Sequence, residues 1–183
     1  VPHLYLFADI DMSAALAQCQ RLEGQPGSTI SVADVVIHAT ARALRQFPRL
    51  NAHVEAERLV LKGAVHLGVA TATPEGMLLP VVPDADRRTL QEIAAVRLRN
   101  AAAARRGVLS LGPPATFTIL DLGLHDVSRV LPLINPPECA VLGTGAVQER
   151  VVSRYRTATV RDMVSASLGC DHRVVDGEYA ARF

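Results

Sequence analysis

One histidine and one aspartate near the end of the chain have the residue types and the spacing that proton transfer requires. Asp176 follows His172 by four residues, in the stretch Cys-Asp-His-Arg-Val-Val-Asp-Gly at residues 170–177. Imidazole titrates near neutral pH, so a held histidine can accept a proton, and a nearby carboxylate can fix the ring or the local loop. Taken alone, such a pair is more often structural than catalytic. His172 is nevertheless the first candidate for a general base.

The elements on either side of His172 are predicted by local pattern. Residues 159–168 alternate in apolar character, which predicts a strand that ends at Gly169. Asp176 can cap a helix that continues through Gly177 and residues 178–181. His172 is therefore expected at a strand-to-helix junction, where a side chain is held rigidly and stays reachable.

Composition limits the classes of function. The chain has 183 residues, 49% hydrophobic content and a net charge of +1, which predicts one globular domain over residues 1–183. The balanced charge argues against nucleic acid or an anionic membrane as the main partner, and no apolar run has the length of a membrane span. Cys19, Cys139 and Cys170 are unclustered, which favours a reducing compartment and argues against a disulfide framework or a metal site. The expected location is the cytoplasm, or the mitochondrial matrix in a eukaryote.

Helical and strand patterns alternate irregularly along the rest of the chain. Helices are predicted at residues 14–22, 35–47 and 90–106. Strands are predicted at residues 4–10, 65–73, 77–82, 115–122 and 139–147, with a further segment at 151–156 and a hairpin at 54–62 whose turn is at 55–58. A loop is predicted at residues 24–27, a turn at 74–76 and irregular chain at 132–137. This mixture predicts an α+β fold, a two-layer sandwich of a mixed, largely antiparallel sheet with helices on one side.

The string Asp-His-Arg-Val-Val-Asp-Gly, followed by Ala-Ala-Arg-Phe at residues 180–183, resembles the C-terminal signature of a known family. It is that of the catalytic domain of the 2-oxo-acid dehydrogenase acyltransferases (dihydrolipoamide acyltransferases), which share their fold with chloramphenicol acetyltransferase. Further stretches resemble the family in the same order, at residues 2–6, 47–52, 65–70, 76–82, 116–119, 135–137 and 140–143. The resemblance implies a coenzyme A-dependent acyltransferase-like fold.

The resemblance also implies a reaction. In this family an acyl group moves between coenzyme A and the dihydrolipoyl thiol of a swinging arm on a separate lipoyl domain, without a metal. His172 matches the general base that removes the thiol proton, and only the thiolate is a good nucleophile. Asp176 matches a residue that helps the reaction or holds the active-site loop. Asp171 and Arg173 are expected to form ion pairs that set this loop.

The family places its active sites between the subunits of a homotrimer, and trimers can build a cubic or icosahedral core. If this carries over, the domain is inactive as a monomer. Its partners are then the lipoyl domain and the dehydrogenase components of the complex. Coenzyme A lies in a channel with scattered contacts in the family, so no coenzyme A-binding residue is assigned.

The chain departs from the family pattern at Leu120. The family has a serine at this position, whose hydroxyl is thought to stabilise the oxyanion of the tetrahedral intermediate, and leucine donates no hydrogen bond. Losing one oxyanion donor costs roughly 10²–10³ in rate in other enzymes. Thr118 lies on the same strand face but roughly 6–7 Å away along the strand, which is a poor position for a substitute. The following turn, at residues 124–127, also lacks the family's usual glycine.

Three functions remain open from the sequence. The first is an active dihydrolipoamide acyltransferase, and the second is a structural or scaffold homologue with weak catalysis, which Leu120 favours. The third is a free-standing enzyme like chloramphenicol acetyltransferase that acts on a small acceptor. The chain does not begin with methionine and lacks the family's arginine-rich helix before residue 2 and its closing helix after Phe183, so a trimmed domain is expected.

Overall fold

A computed structural model describes residues 1–23, 30–56, 58–74, 76–108 and 112–183. The helices are α1 (Ser13–Glu23), α2 (Val32–Leu44), α3 (Leu90–Arg105) and α4 (Gly177–Arg182), with two short 3-10 helices at Ala85–Arg87 and Gly123–His125. The strands are β1 (His3–Asp11), β2 (Ala52–Glu55), β3 (Arg58–Leu61), β4 (Leu67–Val69), β5 (Thr71–Thr73), β6 (Gly76–Leu78), β7 (Val81–Val82), β8 (Phe117–Asp121), β9 (Ala140–Thr144), β10 (Gln148–Arg154) and β11 (Thr157–Asp171). The predicted loop at 24–27, and Glu57 and Glu75 in two predicted turns, lie outside the described residues.

Seven strands form one mixed sheet in the order β1-β11-β9-β8-β4-β7, and β10 also pairs with β11. The pairs β4–β8 and β8–β9 are parallel, whereas β1–β11, β9–β11, β10–β11 and β4–β7 are antiparallel. This confirms the predicted mixed, largely antiparallel sheet.

The hydrophobic core lies on one face of this sheet, beneath the helices. Ile37 of α2 and Ile93 of α3 pack there with Phe117 and Ile119 of β8, and all four are almost fully buried. Because side chains alternate along a strand, Thr118 and Leu120 point to the opposite face. The predicted helix layer on one side of the sheet is confirmed.

Helices α2 and α3 are joined by a buried ion pair. Asp34 is inaccessible to solvent and accepts hydrogen bonds from Arg97 Nε at 2.6 Å and Nη2 at 2.9 Å. The same carboxylate accepts from the backbone N–H of Ser31 at 2.8 Å, which completes a capping box at the start of α2. One carboxylate therefore both caps α2 and holds α3 against it.

The face opposite the helices is covered in its centre by irregular chain between β8 and β9. The Tyr5 hydroxyl donates to the carbonyl of Pro132 at 2.9 Å, and the Ser167 hydroxyl donates to the carbonyl of Val130. A Cβ atom added at Gly143 would lie 2.7 Å from a side-chain carbon of Val130, so only glycine admits this chain so close to the sheet.

Strand β10 and the first part of β11 extend beyond β1 as a two-stranded ribbon. β1 reaches only to Met163 of β11, whereas β10 pairs with residues 157–163. Val151 and Val160 are direct cross-strand partners near the middle of this ribbon, and they are 72% and 58% exposed. The ribbon thus presents an apolar pair to its surroundings.

None of the helices in the described part of the chain has the length and apolar character of a bilayer-spanning segment.

Candidate active site

His172 lies on the turn between β11 and α4, as predicted, with its side chain exposed. Its backbone N–H donates to the carbonyl of Pro2 at 2.9 Å. The N–H groups of Val174 and Val175 donate to the carbonyl of Asp171 at 3.1 and 3.0 Å, which closes the turn below the histidine. The backbone of His172 is therefore held by hydrogen bonds on both sides while its ring faces solvent.

Asp171 and Arg173, which flank the histidine, form a close ion pair. Asp171 is 1% exposed, and its carboxylate accepts from Arg173 Nε at 3.0 Å and from Nη2 at 2.6 Å. Burial acts to raise the pKa of the Asp171 carboxyl, but the hydrogen bonds and charge of Arg173 outweigh it and hold this pKa below its ordinary value. The carboxylate is thus charged at neutral pH.

Asp176 caps α4. Its carboxylate accepts the backbone N–H of Tyr179 at 2.8 Å, and its other oxygen lies 4.0 Å from Arg49 Nη1. Because α4 has only six residues, its position depends on this cap and on Val175 and Ala180, which are buried in the core. These contacts correspond to the loop-holding role considered for Asp176.

Leu120 lies far from His172 within one chain. Leu120 of β8 pairs with Gly143 of β9, and Gly143 pairs with Ser167 of β11, which precedes His172 by five residues. Leu120 and His172 are therefore roughly 16 Å apart along the strand direction and roughly 10 Å apart across the sheet, which is two strand spacings. The two side chains of a single chain cannot contact the same small reacting group.

Thr118 is buried rather than presented to a substrate. It pairs with Val141, and its Oγ1 has no hydrogen-bond partner within the described ranges. Thr118 and Leu120 occupy successive positions on the same face of β8, so the Thr118 hydroxyl lies roughly 6–7 Å along the strand from the position of Leu120.

Glu138 is a buried carboxyl that the sequence did not single out. It is 3% exposed, Asn135 Nδ2 lies 3.4 Å from its Oε1, and its Oε2 has no partner in the part of the chain that the structure describes. Burial raises the pKa of Glu138 to about 7. Glu138, His53, His66 and Lys62 line a cavity of about 730 Å³. The local sequence carries no signal of this burial, since an acidic residue between proline and cysteine predicts exposure.

The two cysteines near the histidine are not nucleophiles. Cys139 and Cys170 are fully buried, and burial raises the pKa of each thiol to about 12. Both thiols are therefore protonated at neutral pH. Across the described ranges, no three His, Cys, Asp or Glu side chains lie together as a metal site would require.

Comparison with known protein families shows to which family the chain belongs. The family model described as 2-oxoacid dehydrogenases acyltransferase (catalytic domain) matches residues 1–183. The chain belongs to this family. The resemblance drawn from the motif at residues 171–177 is thereby confirmed.

Relatives of the chain are components of two dehydrogenase complexes. The chain is 33% identical to a dihydrolipoyllysine-residue succinyltransferase component of the 2-oxoglutarate dehydrogenase complex from Rickettsia bellii, over 98% of this chain and 46% of the relative. It is 33% identical to the mitochondrial acetyltransferase component of the pyruvate dehydrogenase complex of Dictyostelium discoideum, over 100% of this chain and 30% of the relative. The chain thus spans less than half the length of these relatives.

Solved structures match the whole chain. The dihydrolipoamide acetyltransferase of Azotobacter vinelandii superposes with a TM-score of 0.95 at 31% identity, covering 100% of this chain and 78% of that one. The cubic core of a pyruvate dehydrogenase multienzyme complex gives a TM-score of 0.94 at 31% identity, with the same coverage. Chloramphenicol acetyltransferase gives 0.63 at 13% identity over 98% of this chain and 84% of its own, which is a likeness of fold.

The Azotobacter enzyme was studied for the role of one serine, one histidine and one asparagine in its catalytic mechanism. Its asparagine follows the histidine by four residues, the spacing of Asp176 from His172. Its serine precedes the histidine by 52 residues, the spacing of Leu120 from His172.

Proposed function

We propose that this domain transfers an acyl group between coenzyme A and a dihydrolipoyl thiol, as the core acyltransferase domain of a 2-oxoacid dehydrogenase complex. The observation that carries the proposal is His172, an exposed imidazole on a turn whose backbone is hydrogen-bonded on both sides, in a chain of this family.

The chemistry follows from the imidazole. A neutral His172 takes the proton from the attacking thiol while the sulfur bonds to the carbonyl carbon of the acyl thioester. The tetrahedral intermediate then collapses, the bond to the first sulfur breaks, and the departing thiolate recovers the proton from the imidazolium. Each turnover moves one acyl group and returns His172 to its neutral form, and no oxidant or metal takes part in these steps.

The site requires two protomers. Leu120 stands at the spacing of the serine studied in the Azotobacter enzyme, and it lies roughly 16 Å along the sheet from the His172 of its own chain. We therefore propose that each site combines His172 of one protomer with the β8 wall of another, in a homotrimer that can assemble into a larger core. The lipoyl domain and the dehydrogenase components are the proposed partners.

The test is transfer from acetyl-coenzyme A or succinyl-coenzyme A to free dihydrolipoamide, followed as loss of the thioester. His172→Ala is expected to lower kcat by 10²-fold or more, because a positioned base contributes that much. His125→Ala, at another exposed histidine, is the matched control and is expected to retain the parental rate. An unchanged rate in His172→Ala would reject the proposal.

Leu120 favours a second candidate, a scaffold domain that assembles but transfers slowly. A leucine side chain supplies no hydrogen bond to a developing oxyanion. If the scaffold role is correct, the parental domain forms the full assembly and has a very low kcat that Leu120→Ser raises. A high parental kcat would eliminate this second candidate.

A further inference from the structure

A cavity of about 730 Å³ lies at the start of three strands of the main sheet. Its walls come from β2 and from the segments that immediately precede β4, β8 and β9. Among the described residues that line it, neither His172 nor Leu120 is present. Pockets that bind small molecules typically have volumes of about 300–1,000 Å³, so this cavity has room for such a ligand.

Two side chains of the cavity wall carry N–H groups beyond those used in the hydrogen bonds of the described residues. Lys62 donates to Glu55 Oε1 at 2.9 Å, and its ammonium group has two further N–H bonds. His66 accepts the backbone N–H of Asp84 on Nδ1 at 3.1 Å, so the proton of the neutral ring is on Nε2. Both side chains line the cavity, and both can donate to an acceptor within it.

Glu138 adds a buried carboxyl group to the same wall. It is 3% exposed, and within the described ranges its Oε2 has no hydrogen-bond partner. Burial raises the pKa of this carboxyl group to about 7, so a large share of the molecules carry its proton at neutral pH. A buried polar atom without a partner is unfavourable, and a ligand that supplies the partner is stabilised accordingly. In its neutral form Glu138 is a third donor.

Apolar side chains form much of the remaining wall. They are Leu79, Val81, Pro113, Pro114 and Pro137. A hydrocarbon group is stabilised when it leaves water for such a wall. The cavity therefore combines a few donors with an apolar surface, which is the usual composition of a site for a small organic molecule.

We propose that this cavity binds a small organic acid in its carboxylate form. The carboxylate accepts hydrogen bonds from Lys62, His66 and the neutral carboxyl group of Glu138, while the hydrocarbon part of the ligand packs against the apolar wall. A cationic ligand would instead place its charge beside the Lys62 ammonium, which is unfavourable. The binding does not use His172, so it is independent of the proposed acyl transfer.

Other ionisable groups near Glu138 stay unchanged in every variant used below. They are His53 and Glu55 of β2, and Asp171 and Cys139, where Asp171 and Glu138 both act by charge on the Cys139 thiol. A difference between variants is therefore due to the substituted group.

The probes are butanoate and butanamide, which have nearly the same size but differ in charge. Each is titrated into the intact protein by calorimetry at pH 6 and at pH 8. Butanoate is expected to bind more tightly than butanamide, and roughly tenfold more tightly at pH 6 than at pH 8, because Glu138 with a pKa of about 7 is mostly neutral at the lower pH. At pH 8 its binding is expected to take up as much as about one proton, measured as a difference in heat between two buffers of different ionisation enthalpy.

Glu138→Gln keeps a donor at this position and cannot ionise. Its affinity for butanoate at pH 8 is expected to rise to about the parental value at pH 6, and most of the proton uptake is expected to disappear. Because the affinity rises, a folding defect cannot imitate this result. Glu149→Gln, at an exposed position on β10, is the matched control and is expected to keep both parental values.

Lys62→Met keeps the aliphatic stem of the side chain and removes the ammonium group. A hydrogen bond to a charged group contributes roughly 10–10²-fold to affinity, so butanoate is expected to bind more weakly by that factor. Arg58→Met removes an exposed cation from β3 of the same hairpin and is expected to leave the affinity unchanged.

Tighter binding by Glu138→Gln at pH 8 together with weaker binding by Lys62→Met supports the proposal. Equal binding of butanoate and butanamide to the parental protein overturns it. Unchanged affinity in Lys62→Met, or unchanged proton uptake in Glu138→Gln, also overturns it, because butanoate would then bind outside this cavity. Since every readout is a binding measurement, the result is separate from the outcome of the His172→Ala test of the proposed function.

Discussion

Leu120 and His172 of one chain are separated by two strand spacings and by five residues of register, so they belong to different ends of the same sheet. Under the proposed function, the His172 of each site faces the β8 wall of a neighbouring protomer. This relationship can be tested with mixed assemblies.

Leu120→Ser is expected to raise kcat on the order of 10–10²-fold with little change in KM, because an oxyanion donor acts on the transition state. A chain that carries both Leu120→Ser and His172→Ala is expected to be inactive by itself. Co-refolding it with parental chains creates sites that combine the new serine with an intact His172. The rate of the mixture should therefore exceed that of the parental protein.

The control for the mixed assembly is His172→Ala alone, co-refolded with parental chains in the same ratio. It is expected to lower the rate in proportion to the fraction of sites that lose the base. If the two mixtures have equal rates, the base and the oxyanion position do not meet across a protomer boundary.

Asp176 is expected to act through the start of α4. Asp176→Asn keeps an oxygen for the N–H of Tyr179, whereas Asp176→Ala loses the cap and about 1 kcal/mol of stability. We expect Asp176→Asn to retain most of kcat and Asp176→Ala to lose both stability and kcat. Thermal unfolding and kcat are measured on the same samples, and a large loss of kcat in a fully stable Asp176→Asn protein would point to a direct role of the charge in the reaction.

The helices and strands that carry the site could be predicted from local sequence pattern. Which residues of these elements lie close together in space could not. The capping boxes at Ser31 and Thr89 place the starts of α2 and α3, and the apolar alternation in residues 159–168 predicts β11. The single strand predicted at 65–73 was wrong, because β4 ends at Val69 and, among the described residues, β5 pairs with β6 outside the main sheet.

The motif at residues 171–177 predicts His172 as the base, but the distance between Leu120 and His172 depends on strand register across three strands. Register is set by tertiary packing, which no single strand's sequence contains. The burial of Glu138 likewise results from packing, on a β-bridge with His53 and beside Thr118, which are distant in sequence.

The ribbon of β10 and β11 is expected to become covered on assembly. A two-stranded hairpin is at best marginally stable in water, and Val151 and Val160 expose an apolar cross-strand pair. Val160→Arg is expected to shift the protein toward monomers in light scattering coupled to size exclusion. Val160→Thr keeps the branched shape and strand preference and is expected to assemble normally. A Val160→Arg protein that remains fully assembled would show that this pair lies outside the interface.

Glu138 is expected to make stability fall as the pH rises toward neutrality. Its pKa is about 7 in the folded protein and 4.5 in the unfolded chain, so between these values the folded state binds more protons. The contribution of Glu138 to the free energy of unfolding is therefore largest at or below about pH 4.5. It decreases as the pH rises through about 7 and does not change further at higher pH. The full effect is about 3 kcal/mol.

Glu138→Gln removes this titration while keeping the size of the side chain. The difference in free energy of unfolding between the variant and the parent should grow between pH 5 and pH 7.5 and favour the variant at the higher pH. Urea unfolding at several pH values measures it, and Glu149→Gln at an exposed position is the matched control, expected to show no such trend. A difference that does not change with pH would mean that the carboxyl of Glu138 is ionised normally in the folded protein.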